Sequence, residues 1–385
     1  MAKKYLIINS GSASGKYSLY ANEKELAYAH YEAGEQFVAQ IRLGNQVENL
    51  TISKAEFDAL LQHFLNKVLA ANLLRTIEEI AAVGIRVVCP GIFFQRDRLI
   101  DHDFIEHLNT LAKNDPIHSQ GLILSIENIK KILPAAQLTG VSDSYFHAKL
   151  PKTAKYYGLP KSDSDALEIF RFGYHGLSLE SVTEKLPRLL GQMPEKTIIC
   201  HLGSGASITA LKNGKSLDTS MGFSPLEGLL MSSRVGDIDA GAIIYLGRQK
   251  GLDWEKLERY LYQQSGLLGL SDHSSDLRVL LGSEKSNDQL AVEAFVYRIV
   301  KYIGAYTAVL GGLDCLVFTG TIGERSSIIR ARVCDKLKFL GIALDQAKNE
   351  AALAQDQSLE SGSSPVKIAV IAVDENAIIF RHLRA

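Results

Sequence analysis

The sequence predicts a mixed α/β protein built from two like halves. Three observations predict it. A strand–Gly/Ser loop–strand unit occurs twice, near residues 5–20 and 197–211. Short apolar runs alternate with stretches of helical periodicity through both halves. The length, 385 residues, suits two or three domains.

The elements follow in order. Tyr5–Ile8 reads as a buried strand, 9–15 (NSGSASG) as a loop and Lys16–Tyr20 as a second strand. Phe57, Leu60, Leu61, Phe64, Leu65, Val68 and Leu69 share one helical face, which predicts a helix within 54–80. Val83–Val88 is a strand, 103–113 and 120–132 are helical, and Leu138–Ser142 is a short strand ending at Asp143. The second half repeats the plan. Thr197–Cys200 is a strand, His201–Ser207 a Gly/Ser loop and Ile208–Leu211 a strand, with a hairpin turn at Asn213-Gly214. Helices are predicted at 238–250, 254–263 and 288–311. The strand Cys315–Thr319 runs into a Gly-rich turn, Gly320–Gly323, with a helix from about Ser326. Val366–Ala372 is a last strand and 375–384 a closing helix. The expected domains are 1–147, with 376–385 packing back on it, and 148–375, with a cleft between them.

Composition narrows the function. The 42 basic and 43 acidic residues nearly cancel, and no block of like charge appears. That argues against nucleic acid or an anionic membrane as partner. No stretch approaches 18 apolar residues, so no membrane span is expected, and the apolar run after Met1 is too short for a signal peptide. The expected compartment is the cytoplasm. Cys89, Cys200, Cys315 and Cys334 are far apart and form no C-x-x-C, which predicts buried free thiols.

The Gly/Ser loops point to phosphate. A tight loop of this kind exposes consecutive backbone N–H groups and small hydroxyls, which bind phosphate oxygens. Neither loop is a Walker A, since G-x-x-x-x-G-K-[ST] is absent. Two such loops plus the turn at Gly320–Gly323 describe the architecture shared by actin, sugar kinases and heat-shock ATPases. Charged residues stand near the strand ends. Arg86 could be an edge-strand charge, or a planar fork for carboxylate or phosphate. Asp143 could be a helix cap, or an orienting carboxylate. Glu375 could serve a helix N-terminus, or hold Mg²⁺ together with Asn9. His175 lies between glycines, and Arg234 closes a polar, turn-rich run. Phosphoryl transfer uses these residue types, because the moving group spreads charge over three oxygens.

Long colinear segments resemble the acetate kinase family. They are YLIINSGSASGKYSLY at Tyr5–Tyr20, Arg86–Val88, Asp143 with Phe146-His147, Phe172–Gly176 and CHLGSGAS at Cys200–Ser207. The run continues with Gly214–Asp239, Ser265–Leu277, Arg298–Gly312 and VFTGTIGERS at Val317–Ser326. The 214–239 block is the most specific. The resemblance implies two actin-like (ribonuclease H-like) α/β domains with a central cleft, usually as a homodimer. It implies reversible transfer of the ATP γ-phosphoryl to a short-chain carboxylate, with Mg²⁺ or Mn²⁺. By resemblance, Asp143, His175, Arg234 and Arg86 are catalytic, and Arg86 with Val88, Ile117, Tyr174 and Pro225 receives the acid. Ser10, Ser12, Lys16, His118, His201, Gly203, Ser204, Gly205, Gly320, Thr321, Ile322 and Gly323 face phosphate or nucleotide, and Asn9 and Glu375 the metal. Departures occur at Gly15, Cys89-Pro90, Ser119-Gln120, Tyr174 (where the family has Phe), Ser204, Thr321, Arg325 and Asp374. Those on the nucleotide side leave open another donor such as pyrophosphate, or a non-catalytic nucleotide- or acid-binding protein.

Overall fold

A computed structural model describes residues 3–11, 14–34, 36–113 and 116–384, without the side chains of 116–118. The chain forms two compact units, 1–145 with 374–385, and 146–373.

The first unit holds β1 (Lys4–Ser10), β2 (Ser14–Ala21), β3 (Lys24–Ala33), β4 (Phe37–Leu43), β5 (Gln46–Ile52), β6 (Ile80–Val87), β7 (Arg98–Leu99) and β8 (Gln137–Ser142). They lie in one sheet, in the order β5-β4-β3-β2-β1-β6-β8-β7. The second holds β9 (Lys196–Leu202), β10 (Ala206–Lys212), β11 (Lys215–Thr219), β12 (Cys315–Thr319), β13 (Gln357–Ser358) and β14 (Lys367–Val370), in the order β11-β10-β9-β12-β14-β13. The shared pattern is plain. In each unit a three-stranded antiparallel meander continues through two parallel strands: β3-β2-β1-β6-β8 matches β11-β10-β9-β12-β14. This is the predicted α/β class with its internal duplication, and each unit has the actin-like plan.

Alternation decides the faces of the first sheet. Leu6, Ile8, Tyr17, Leu19, Ala27, Ala29 and Tyr31 enter one core with Phe64, Leu65 and Val68 of the helix Leu60–Ala70. The opposite face carries Ile7 and Gly84 under the C-terminal helix Glu375–Arg384. A Cβ on Gly84 would stand 2.7 Å from Ile379, so β6 meets this helix only because residue 84 is glycine. In the second unit the helix Gly176–Leu190 supplies Leu179, Val182 and Leu186 to a core with Ile199, Val317 and Ala369. The long helix Ser286–Leu310 packs on β9 and β10.

Two expectations need correction. The helix predicted within 54–80 is a single turn, Lys54–Phe57, and then Leu60–Ala70. It stops because Asn72 turns left-handed at φ 56°, and a 3₁₀ turn at Ile77–Glu79 feeds β6. Gly320–Gly323 is not a turn but the start of a helix, Gly320–Arg325. Gly320 takes φ 76° and sends the chain straight from β12 into helix. Strands β3 to β5 carry mixed polar and apolar residues and had no assignment from sequence. The four cysteines are buried, and none is in a disulfide among the described residues.

Candidate active site

The first unit gathers charge at the ends of its parallel strands. Arg86 lies on β6, between β1 and β8, so it is no edge-strand charge. Its Nη2 donates to Asp143 Oδ2 at 2.8 Å, and Nη1 approaches Asn9 Oδ1 at 3.4 Å. Asp143 is fully buried, just beyond β8, and its N–H donates to Val87 O. Asn9, next to last in β1, donates from Nδ2 to Glu375 Oε2 at 2.7 Å. Glu375 opens the C-terminal helix. Burial alone would lower the Arg86 pKa, but Asp143 and Glu375 beside it raise it above its ordinary value. Arg86 Nε is buried with no acceptor among the described residues. Two of its five N–H groups are used in these bonds, so the guanidinium keeps donors to offer an anion.

The donor set suits Mg²⁺. This ion takes hard oxygen ligands, keeps several waters and binds through one or two carboxylates plus substrate phosphates. Glu375 supplies a buried carboxylate, and the Asn9 amide bonded to it carries an oxygen as the second hard donor. No group of three or more His, Cys, Asp or Glu side chains able to hold a metal occurs among the described residues.

The second unit gathers around the β9–β10 hairpin. The hairpin closes through Gly203 N–H to Gly205 O at 3.0 Å. His175 caps the helix Gly176–Leu190 in the left-handed region, at φ 59°. Bulky side chains rarely accept that conformation. It sets the imidazole against Ser207, with Nδ1 to Oγ at 2.9 Å, and beside His201, ring centroids 4.2 Å apart. A Cβ added at Gly205 would stand 3.4 Å from His175 Nε2 and 3.5 Å from Arg234 Nη1. Glycine therefore keeps open a small space on which an imidazole and a guanidinium converge.

Arg234 is held by backbone. Its Nη1 donates to Pro225 O at 3.1 Å, and its guanidinium lies 5.9 Å from the centre of the Tyr262 ring. The segment before it is gripped by the turn into the helix Gly266–Ser271. Ser265, Leu267 and Leu268 donate N–H to Ser233, Met231 and Ser232 carbonyls at 3.0, 2.8 and 2.9 Å. Behind it Arg171 donates to Thr219 O and to Glu227 Oε1, and Tyr157 donates to Glu227 Oε2. Asp237 accepts Gly228 N–H and the Tyr302 hydroxyl. Much of the polar density in 214–239 thus holds the loop that carries Arg234.

Residues 4–381 match the sequence profile of the Acetokinase family. The chain belongs to the acetate kinase family. The acetate kinase of Thermosipho melanesiensis is 37% identical, over 98% of this chain and 96% of that one. That of Sulfurovum sp. is also 37% identical, over 98% and 97%. A crystal structure of Porphyromonas gingivalis acetate kinase has a TM-score of 0.83 at 32% identity, covering 99% of both chains. A propionate kinase from Francisella tularensis has 0.85 at 32% identity, again over 99% of both.

Among acetate kinase family positions read from the sequence, Ser12 lies outside the described residues, as do the side chains of Ile117 and His118. Ser10 is exposed at the end of β1, and Lys16, on β2, faces Asn9 in register. Val88 is half-buried beyond β6. Tyr174 is buried, and its hydroxyl donates to Phe223 O at 2.6 Å, which satisfies the group a phenylalanine would lack. Pro225 is buried, and its carbonyl accepts from Arg234. Ser204 is exposed, and its carbonyl accepts Ser232 N–H. Thr321 is exposed, Ile322 half-buried and Gly323 buried, in the first turns of Gly320–Arg325. The left-handed residue here is Gly320, where a Cβ would meet Leu202 O at 2.7 Å, so Thr321 costs no backbone strain. Gly15 leaves room that Leu60 fills. Glu324 Oε1 accepts Gly320 N–H and Val373 N–H. Arg330, fully buried, donates to the Gly323, Glu324, Asn349 and Ala352 carbonyls and to Asn349 Oδ1. Sequence reasoning missed Ser207 and Asn376. The CHLGSGAS motif contains the first, and only the adjacency to Glu375 could have flagged the second.

Proposed function

We propose that this chain transfers the γ-phosphoryl group of ATP reversibly to a short-chain carboxylate, acetate or propionate, giving acyl phosphate and ADP. The observation that carries the reading is the space kept by Gly205, where His175 Nε2 and Arg234 Nη1 converge. Fixed donors around such a point stabilise charge that develops in flight. In the forward direction a carboxylate oxygen attacks the γ-phosphorus in line, and the bond from phosphorus to the ADP oxygen breaks. No protein group need become phosphorylated. Arg86, held by Asp143, orients the acid, and Val88, Ile117, Tyr174 and Pro225 receive its tail. Ser10, Ser12, Lys16, His118, His201, Gly203, Ser204, Gly205 and the 320–323 segment are assigned to phosphate and nucleotide. Asn9 and Glu375 would hold Mg²⁺, which supplies charge neutralisation on the phosphates. Membership of the family supports ATP over pyrophosphate as donor. The same reading implies a cytoplasmic homodimer. Among the described residues, no helix is long and apolar enough to cross a membrane.

The test is hydroxylamine trapping of acyl phosphate with Mg-ATP against acetate, propionate and butyrate, with pyrophosphate in parallel. Hydroxamate is expected with ATP and acetate or propionate. Signal with pyrophosphate alone, or with no acid at all, would overturn the proposal.

A further inference from the structure

A hydrogen-bond chain runs through the first unit to Asn9 and takes no part in the chemistry assigned above. It begins on the outer strands, where Arg42 of β4 pairs with Glu25 of β3. Glu25 Oε1 accepts the Ser18 hydroxyl at 2.6 Å. Ser18 Oγ in turn accepts Asn376 Nδ2 at 2.7 Å. Asn376 Oδ1 accepts Asn9 Nδ2 at 3.2 Å. Ser18, Asn376 and Asn9 are 0%, 2% and 3% exposed, so water does not compete for these bonds.

The chain has a direction. A carboxylate paired with a guanidinium can only accept, so Ser18 must donate its one proton to Glu25. Ser18 then has only lone pairs to offer, and Asn376 must turn its NH₂ toward it. That leaves the Asn376 carbonyl oxygen facing Asn9, which must answer with its own NH₂. The Asn9 oxygen is thereby turned toward Arg86. An amide flip at Asn9 would break its bonds to Asn376 and Glu375 and set NH₂ against a guanidinium.

Backbone register makes the first link possible. Pairing of β2 with β3 shifts between Leu19 and Tyr20, so Leu19 faces Ala27 but Tyr20 faces Glu25. The extra residue, Leu26, packs on the main core with Leu19 and Ala27. Bulges of this kind re-aim side chains. Without it, alternation would send Glu25 to the Leu19 face, away from Ser18.

We propose that Ser18 and Glu25 are positioning residues that fix the orientation of the Asn9 amide beside Glu375, at the point assigned to the metal. The inference rests on the reading of Asn9 and Glu375 as the Mg²⁺ pair. The test compares Ser18→Ala, Glu25→Gln and Glu375→Gln in the full chain. Manganese affinity is read by electron paramagnetic resonance with ADP present, and the KM for the carboxylate is measured separately. Ser18→Ala should weaken Mn²⁺ about tenfold, the lower end of what outer-shell partners contribute, with the carboxylate KM within about twofold. Glu25→Gln should weaken it less, since an amide can donate or accept. If Glu375→Gln weakens Mn²⁺ binding but both other variants stay within about twofold of the parent, the positioning role falls and the metal assignment stands. If Glu375→Gln also leaves binding unchanged, the metal assignment falls and takes this inference with it. Equal losses in Mn²⁺ affinity and carboxylate KM would mark a general packing role and overturn the proposal.

Discussion

Arg86 and Arg234 have the same side chain and are assigned to the same reaction, yet the two units hold them by different means. Arg86 stands on an interior strand and meets side chains, Asp143 and Asn9, with Glu375 adding negative charge. Arg234 follows a loop and meets backbone, the Pro225 carbonyl, while its own segment hangs from three N–H groups at 265–268. Both guanidiniums donate as cations, at about 1.5–3 kcal/mol a bond, but of the hydrogen-bond partners named here only Asp143 beside Arg86 carries a full opposite charge. The first unit thus spends strong bonds on a fixed ion cluster. The second relies on shape, with Gly228, Gly236 and Gly266 all at positive φ around the same segment. Position by partner is sensitive to charge. Position by backbone is sensitive to volume.

The contrast can be broken from either side. The largest effect is expected for Arg234→Ala, which should lower kcat at least about a hundredfold, the usual loss of about 2.7–4 kcal/mol for one transition-state donor. A tenfold loss or less in steady-state assays would remove its assigned role. Asp143→Ala comes next. It leaves the Arg86 guanidinium without its buried partner, and urea unfolding should show a loss of about 3 kcal/mol. A loss below about 1 kcal/mol would mean that Glu375 and Asn9 suffice to hold Arg86. The smallest is Gly266→Ala, where the added Cβ would stand 2.3 Å from Met231 O and 2.8 Å from Arg234 O, at φ 67°. It should cost about 2 kcal/mol of stability and lower kcat with it. An unchanged kcat would show that Arg234 does not depend on this segment.

Much of the fold was legible because its signals are local. Tyr5–Tyr20 and Thr197–Leu211 announce themselves as repeated apolar runs around small residues. The strands β3 to β5 were not legible, since their exposed residues dilute the alternation on which a strand reading rests. At the candidate site, residue types pointed to Arg86, Asp143, His175 and Arg234, but not to how each is held. The partner of Asn9 lies 366 residues away, and that of Arg86 57 away. Such pairings depend on which strands become neighbours, and no short window of sequence contains that. The helix at Gly320 was misread because glycines signal turns, whereas here one left-handed residue at a strand end starts a helix.

Arg330 has a consequence for how the second unit opens. Its guanidinium is fully buried, and its hydrogen bonds go to four carbonyls and an amide oxygen, not to a carboxylate. The charge is cancelled only by dipoles, drawn from two stretches of chain, 323–324 and 349–352. Loosening either stretch alone would leave a cation short of ligands in an apolar interior. The two must therefore exchange with solvent together, as one cooperative block. The segment assigned to the nucleotide is thus tied, in its opening, to residues more than twenty positions further along the chain.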